Sequence, residues 1–279
     1  MKGKLDGVKL FLLDMDGTVY LGGKLLPGAA ETLAAIRESG RKLCFLTNNS
    51  SKSREDYLGK LASMGIPAGR DEIFSSSDAT VSYLKKNFGG KSVYLLGTES
   101  LRKEFSDSGI TLADEADIVV VGYDTELTYK KLVGATNLLN EGAFYICTHA
   151  DANCPAEPHY VPDVGSFIEM IARSTGRRPD VICGKPFKPM CDAVADRFGL
   201  SPDEIAMVGD RLSTDIAFGN AGGFVSVLVF SGETTSEAYE KSDIRADVCR
   251  DIRSSRLRPE ITSLKYRLSG RRSDKGDRK

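Results

Sequence analysis

The sequence predicts an α/β protein whose parallel sheet presents polar residues where its strands end. Short, nearly continuous apolar runs such as residues 8–13 alternate with amphipathic segments of helical spacing. Continuous apolar runs are typical of strands that helices cover on both faces, as in a parallel sheet. The chain has 279 residues and is 41% hydrophobic, which is enough for more than one core. We therefore expect two α/β domains within one chain.

The first part of the chain alternates between strand and helix signals. In order, these are a strand over residues 8–13, a helix from near Pro27 to Gly40, a strand over 43–46, and helices over 53–64 and 77–88. Proline near the start of a helix and glycine at its end are the usual signals of helix boundaries. These elements predict the first half of a core domain.

Between residues 91 and 180 strands and helices alternate again, which predicts a smaller α/β domain inserted into the first. Its strands are predicted over residues 93–96, 118–121 and 144–147, and its helices over 99–108, 128–139 and 166–173. The core resumes with a helix over 189–198 and strands over 205–208 and 224–230. We expect the core to cover residues 1–88 and 181–267, the inserted domain 89–180, and a disordered basic tail 268–279.

Two aspartates directly follow the first strand. Asp14 and Asp16 stand in the segment Asp-Met-Asp-Gly-Thr of residues 14–18. Ligands of open α/β sheets bind outside the carboxyl ends of the strands, where Asp14 is expected to lie. Burying two carboxylates there is unfavourable unless a metal ion or a substrate uses them. An Asp-Gly turn that simply closes the strand is the alternative interpretation.

Three further polar segments follow strand-like apolar runs, over residues 43–46, 181–183 and 205–208. Thr47 and Asn48 open a run of four small polar residues that are able to donate hydrogen bonds to a phosphoryl group. Lys185 lies between a glycine and a proline, where it is able to neutralise an anion. Asp210 and Asp215 suit a metal ion and its surroundings. Taken singly, each segment also fits a polar turn or a helix cap.

Together, the four segments resemble the signatures of the haloacid dehalogenase (HAD) superfamily phosphatases. They read DMDGT, LTNNS, GKP and GDRLSTD, in the order that the family has. More than a hundred residues separate Thr47 from Lys185, which leaves room for a cap domain between the second and third signatures. This arrangement is similar to subclass IIA, the NagD-like and p-nitrophenylphosphatase-like enzymes. The resemblance implies a Rossmann-like parallel-sheet core with a smaller inserted α/β cap domain of type C2.

The resemblance also implies a role for each motif residue. Asp14 is implied to be the nucleophile that forms an aspartyl-phosphate, and Asp16 the general acid and then the general base. Mg²⁺ is implied on the Asp14 carboxylate, the Asp16 backbone carbonyl and Asp210, with Asp215 behind these ligands. The residues implied to bind the phosphoryl oxygens are Thr47, Asn48 and Lys185.

The function that the resemblance implies is a Mg²⁺-dependent phosphatase for small phosphate monoesters, such as nucleotide, sugar or coenzyme phosphates. Asp16 argues against dehalogenation, because an alkoxide leaving group needs a proton and a halide does not. A phosphotransferase that passes the same aspartyl-phosphate to another acceptor is one alternative. A ligand-binding protein that retains the fold is another, although the intact Asp14 and Asp16 weigh against it.

Substrate choice is expected to reside in a polar, proline-rich loop after the last strand of the cap. His149, Asp151 and Asn153 are candidates for contact with the leaving group, because this loop closes over the core in the resembled subclass. A helix N-cap and loop turns explain the same residue types. The two histidines and the nearby cysteines match no zinc-finger spacing, so we expect no zinc site.

Cysteine usage and charge lead to the remaining expectations. The six cysteines include no CxxC pair, which predicts reduced thiols and a cytoplasmic protein. The sequence shows neither a signal peptide nor a long apolar span, so we expect no membrane partner. Residues 250–279 carry eleven Lys or Arg and four Asp or Glu. A basic end is able to contact RNA but is more often solvated, so we expect no nucleic-acid partner.

The resemblance leads to one expectation about assembly. Caps of this subclass often pair, so a homodimer through the cap is expected. Residues 250–259 lack the hydrophobic helix that is expected to complete the core of this subclass.

Overall fold

The computed structural model describes residues 3–156 and 158–250. These residues form fourteen strands and nine α-helices. The strands are β1 (Leu10–Leu13), β2 (Tyr20–Leu21), β3 (Lys24–Leu25), β4 (Lys42–Thr47), β5 (Ile73–Ser75), β6 (Val93–Leu96), β7 (Ile118–Val121), β8 (Phe144–Cys147), β9 (Asn153–Cys154), β10 (Val161–Pro162), β11 (Val181–Ile182), β12 (Ile205–Gly209), β13 (Val225–Val229) and β14 (Val248–Arg250). The α-helices are α1 (Ala29–Glu38), α2 (Arg54–Ser63), α3 (Ser76–Asn87), α4 (Glu99–Asp107), α5 (Tyr129–Asn140), α6 (Val164–Thr175), α7 (Lys188–Phe198), α8 (Ala217–Gly222) and α9 (Ser236–Lys241).

Each strand and helix predicted from the sequence is present, with bounds that agree within two residues. The described residues fall into two compact units, one within Met1–Cys44 and Ser201–Lys279, the other Phe45–Leu200. The domain boundaries predicted from the sequence stay a prediction. The predicted tail, and residues 251–259 of the predicted C-terminal segment, lie outside the described residues.

The first unit is built on parallel strands in the order β14, β13, β12, β1. All four residues of β1 are buried, as expected for a strand with a continuous apolar run. The first residue of β4 continues the pairing, because the Lys42 amide donates to the Lys9 carbonyl over 2.9 Å. Leu13 of β1 lies opposite Val208 of β12 in the register. The segments that follow β1 and β12 therefore emerge side by side.

The second unit contains a four-stranded parallel sheet in the order β11, β8, β7, β6. Its hydrophobic core includes Val119 and Tyr145 from this sheet, and Phe167 and Ile171 from α6. In the same unit, the end of β4 pairs in parallel with β5. The loop after β8 contains an antiparallel hairpin of β9 and β10, which the sequence did not predict because its strands have only two residues each.

Helix caps explain where two helices of the second unit begin. Ser53 caps α2 and forms a reciprocal pair of hydrogen bonds with Asp56, and Ser75 does the same with Asp78 at α3. The cap of α2 is therefore Ser53, so the preceding run that starts at Thr47 does not serve as the helix cap. None of the helices within the described residues is both long enough and apolar enough to cross a membrane.

Candidate active site

Three aspartates of the first unit form an acidic cluster. One carboxylate oxygen each of Asp14, Asp210 and Asp215 lies within 4.8 Å of the others. Asp14 follows β1 and Asp210 follows β12, so the parallel register of these neighbouring strands places them together. Asp215 comes from a single π-helical turn, Leu212–Ile216, where the sequence allowed a polar turn or a cap. The cluster unites three of the residues predicted to form the site.

Asp210 is held in place by hydrogen bonds and is buried. Its Oδ1 accepts from the Thr18 hydroxyl over 3.2 Å, and its Oδ2 accepts from the Glu233 amide over 2.7 Å. Burial and then the negative charge of Asp215 raise the pKa of Asp210 from 3.8 to about 6, against the effect of the Glu233 amide. A raised pKa of this kind means that the surroundings do not fully balance the negative charge of the ionised carboxylate.

Glycines let the backbone approach the acidic side chains closely. A Cβ on Gly17, whose φ is +86°, would lie 2.5 Å from Asp210 Oδ2, and one on Gly232 would lie 2.0 Å from the same atom. Likewise, a Cβ on Gly209 would lie 2.3 Å from the Cβ of Asp215. The acidic cluster therefore requires glycine at these three positions.

Residues 231–233 belong to the surroundings of the cluster and were not predicted from the sequence. The Glu233 amide donates to Asp210, and the small Gly232 lies against the same side chain. The Ser231 hydroxyl donates to the Gly17 carbonyl over 2.5 Å. The sequence signal for them is a polar run directly after the predicted strand over residues 224–230.

Asp16 lies in the turn that follows Asp14. The Gly17 amide donates to the Tyr20 carbonyl over 2.8 Å, and the backbone of Asp16 forms a bridge with Tyr20. Asp16 is exposed, whereas Asp14 is partly buried. The turn thus leaves the side chain of Asp16 accessible to solvent.

The acidic cluster fits a Mg²⁺ ion. Hard divalent cations bind carboxylate oxygens, and the cluster offers three carboxylates from separate segments of the chain. Because burial and the charge of Asp215 raise the pKa of Asp210, a cation at this position would offset the unfavourable negative charge. Asp215 Oδ2 accepts from the Arg211 amide over 3.1 Å, which fixes this carboxylate beside Asp210.

We expect the stability of the metal-free protein to depend on the protonation of Asp210. Its pKa is higher in the folded than in the unfolded protein, so its contribution to stability is present below pH 3.8 and is lost as the pH rises through about 6. Mg²⁺ should therefore raise the melting temperature more at pH 7.5 than at pH 5.

Thermal denaturation with Mg²⁺ or with EDTA at the two pH values measures this difference. Asp210→Asn should remove most of it, whereas Asp203→Asn, at an exposed position of the same unit, should retain it. An equal gain from Mg²⁺ at both pH values would contradict the prediction.

In the second unit, Asn48 connects Lys185 with Asp151. The Asn48 side-chain amide donates to the two Asp151 carboxylate oxygens over 3.3 and 3.2 Å, and to the Lys185 carbonyl over 3.1 Å. The Asn48 Oδ1 accepts from the Lys185 amide over 2.8 Å. Lys185 is only 2% exposed. The Thr47 Oγ1 accepts from the Asn49 amide over 3.1 Å. The structure thus brings three predicted site residues into one network.

His149, another predicted residue, is fully buried. Its Nε2 lies 2.9 Å from Asp163 Oδ1, and its Nδ1 lies 3.0 Å from the Thr148 hydroxyl. Burial alone lowers the pKa of His149, but the hydrogen bond and charge of Asp163, with the charge of Asp151, raise it above its ordinary value. Asn153 is exposed in β9, where it pairs with Pro162.

Gly184 packs against this second network, so Gly184→Ala should disrupt it. The added Cβ would lie 2.8 Å from Asn48 Oδ1, 2.8 Å from the Thr148 carbonyl and 2.7 Å from the His149 Cβ. We expect a loss of about 1–3 kcal/mol in the free energy of unfolding, measured by urea denaturation. Gly59→Ala, where a Cβ meets nothing within 4 Å, is the matched control and should not destabilise the protein. Equal stabilities for the two variants would contradict the prediction.

The family of the chain follows from comparison with known proteins. A model of haloacid dehalogenase-like hydrolases matches residues 11–111, and a HAD-hydrolase-like model matches residues 182–254. The chain is 36% identical over 288 residues to phosphoglycolate phosphatase 1A, chloroplastic, of Arabidopsis thaliana, covering 93% of this chain and 79% of the relative. It is 35% identical over 237 residues to an acid sugar phosphatase of Staphylococcus haemolyticus, covering 84% of this chain and 90% of the relative.

A solved structure is similar to this chain and supports the same family. The crystal structure of 4-nitrophenylphosphatase from Thermotoga maritima matches with a TM-score of 0.86 and 43% identity, over 89% of this chain and 95% of that chain. The chain belongs to the haloacid dehalogenase-like hydrolases, among the NagD-like and p-nitrophenylphosphatase-like phosphatases of subclass IIA. It is a phosphoric monoester hydrolase with a parallel-sheet α/β fold, which confirms the family, the fold class and the enzyme class predicted from the sequence.

Proposed function

We propose that this enzyme hydrolyses small-molecule phosphate monoesters through an aspartyl-phosphate on Asp14, with Mg²⁺ as cofactor. The observation that carries the proposal is the acidic cluster, in which Asp14 and Asp210 follow two neighbouring parallel strands and Asp215 comes from a π-helical turn. The membership of the chain in a family of phosphatases supports the reaction class.

In the proposed first step, a carboxylate oxygen of Asp14 attacks the phosphorus and the ester P–O bond breaks. Asp16 gives its proton to the departing oxygen, so the product leaves as an alcohol. In the second step, Asp16 accepts a proton from a water molecule whose oxygen attacks the phosphorus. The bond to Asp14 breaks, inorganic phosphate leaves, and both aspartates return to their starting states.

Asp14 and Asp210, with the backbone carbonyl of Asp16, are the residues that would hold Mg²⁺, which supplies positive charge to balance the phosphoryl oxygens. Asp215 is proposed to lie behind these ligands, where its negative charge adds to the attraction of the site for a cation. Thr47, Asn48 and Lys185 are proposed to bind the phosphoryl oxygens. Lys185 is almost fully buried, so solvent screens its charge little and the charge is effective at short range.

The substrate class proposed is a small phosphate ester. The two relatives compared above are named a phosphoglycolate phosphatase and an acid sugar phosphatase, so their names do not agree on one substrate. Contact of His149, Asp151 and Asn153 with the leaving group remains a prediction. None of the six cysteines, all of which lie within the described residues, forms a disulfide, which supports the proposed cytoplasmic location. The homodimer through the cap remains a prediction from the subclass.

The proposal is tested by assaying purified protein on a panel of phosphate monoesters, with p-nitrophenyl phosphate as the reference. Inorganic phosphate and the released alcohol are both measured, with Mg²⁺ or with EDTA. We expect equal amounts of the two products with Mg²⁺ and no release with EDTA. A phosphotransferase would instead be indicated if alcohol is released without inorganic phosphate and this release depends on an added acceptor alcohol. No turnover of any ester would contradict the proposal and favour ligand binding.

A further inference from the structure

We infer that His149 and Asp163 form a positioning pair, which closes the loop of residues 148–163 at its base and thereby holds Asp151 against Asn48 and Lys185. The inference rests on the proposed function, because Asn48 and Lys185 are proposed to bind the phosphoryl group. Asp163 was not a predicted site residue. It lies 14 residues after His149, at the far end of the loop.

Backbone hydrogen bonds hold the two ends of this loop together. The Asp163 amide donates to the Ala152 carbonyl over 3.0 Å, and the Gly165 amide donates to the Asp151 carbonyl over 2.8 Å. A Cβ on Gly165 would lie 2.5 Å from the Ala150 carbonyl oxygen, so the chain segments at the two ends of the loop are in close contact. The base of the loop is therefore closely packed, while the hairpin beyond it is largely exposed.

The pair forms the side-chain part of this closure. His149 is 0% and Asp163 is 3% exposed. Because a carboxylate only accepts hydrogen bonds, the imidazole Nε2–H donates to Asp163 Oδ1 over 2.9 Å. The same oxygen accepts from the Val164 amide over 2.7 Å and so caps α6. One carboxylate oxygen thus joins the start of the loop to the helix that follows its end.

The other ring nitrogen connects the pair to the segment after β4. His149 Nδ1 lies 3.0 Å from the Thr148 hydroxyl, which lies 3.0 Å from the Ser50 hydroxyl. The Ser50 oxygen in turn accepts from the Tyr123 amide over 2.9 Å. All these hydroxyl groups are fully buried, so a change at His149 leaves polar atoms without water to replace the lost partner.

Asp151 links the positioning pair to the proposed phosphate-binding residues by direct contact. Asp151 lies two residues after His149, and each offers a polar atom within 4.8 Å of the other and of Asp163. Both Asp151 oxygens accept from the Asn48 amide, whose oxygen accepts from the Lys185 amide. A Cβ on Gly184 would lie 2.7 Å from the His149 Cβ, so the segment that carries Lys185 passes close to His149. The pair therefore acts through Asp151 and Asn48 and does not itself need to touch the substrate.

Two pairs of variants test the inference. Asp163→Ser keeps an N-cap for α6 but is too short to reach His149, whereas Asp163→Asn keeps both the cap and an acceptor for the imidazole. His149→Leu removes the pair from the other side. His159→Leu makes the same substitution at the exposed histidine of the same loop and is its control.

We expect Asp163→Ser and His149→Leu to lower kcat/KM for p-nitrophenyl phosphate by about tenfold or more. Asp163→Asn should stay within about threefold of the wild type, and His159→Leu should be unchanged. Amide hydrogen exchange over residues 148–165 should rise in the two disruptive variants and not in the two conservative ones. If His149→Leu does not fold, Asp163→Ser alone tests the inference, because its helix cap is retained.

The outcomes that overturn the inference are distinct. Wild-type kcat/KM in Asp163→Ser, or an equal loss in Asp163→Asn, would show that the hydrogen bond does not position the site. Unchanged exchange over residues 148–165 in Asp163→Ser would show that the pair does not hold the loop. If the wild type hydrolyses no phosphate ester, the proposed function fails, but the exchange measurement still decides whether the pair closes the loop.

Discussion

Asp14→Asn is expected to abolish phosphate release, with a loss of at least about 10⁴-fold in kcat. Asparagine has nearly the size of aspartate, so the strand end and the turn through Gly17 should keep their structure. The amide lacks the negative charge of the nucleophile, and it is a far weaker group for attack on phosphorus. Initial rates with p-nitrophenyl phosphate and Mg²⁺ measure the loss.

The control for Asp14→Asn is Asp203→Asn, which makes the same change at an exposed residue of the same unit. It should keep wild-type kcat and KM. The melting temperature in EDTA should not fall in Asp14→Asn, because removing one of three clustered negative charges relieves repulsion. Residual kcat within tenfold of the wild type would exclude Asp14 as the nucleophile.

Lys185→Met is expected to have the second largest effect, a loss of about 10²–10³-fold in kcat/KM. Methionine fills much of the space of the lysine side chain but removes its positive charge. Lys185 is 2% exposed, and its backbone is fixed by two hydrogen bonds to the side chain of Asn48. The loss should therefore reflect the missing charge more than a displaced loop. Steady-state kinetics on the best ester of the panel measures it.

Lys188→Met is the matched control, three residues further along the chain. Lys188 is exposed and pairs with Asp192 on the surface of α7, where solvent screens the interaction. This variant should keep the kcat/KM of the wild type. If Lys185→Met hydrolyses the ester as fast as Lys188→Met does, Lys185 does not bind the phosphoryl group.

Much of the acidic cluster was predictable because of where its residues stand in the chain. Asp14 and Asp210 each follow a continuous apolar run, and the carboxyl ends of parallel strands meet at one edge of a sheet. The observed register, with Leu13 opposite Val208, brings them together as expected. The π-helical turn that supplies Asp215 was not predictable, since its sequence equally fits a polar turn.

Other parts of the site were not predictable because backbone atoms or distant contacts form them. Gly232 and the Glu233 amide surround Asp210, and neither contribution depends on a reactive side chain. Asp163 pairs with His149 only because the loop closes at its base, through backbone hydrogen bonds that any residue type provides. The loop sequence named His149 and Asp151 as candidates, but it gave no sign of the partner that holds them.

The most direct test of the proposed mechanism is to detect the phosphoryl group on Asp14 during turnover. Wild-type enzyme is mixed with p-nitrophenyl phosphate and Mg²⁺, quenched in acid, and its peptides are analysed by mass spectrometry. We predict one added phosphoryl group on the peptide that contains Asp14, located on that residue, and none in Asp14→Asn or in EDTA. Rapid hydrolysis with no phosphoryl group on Asp14 at any quench time, or with the group on another residue, would contradict the account.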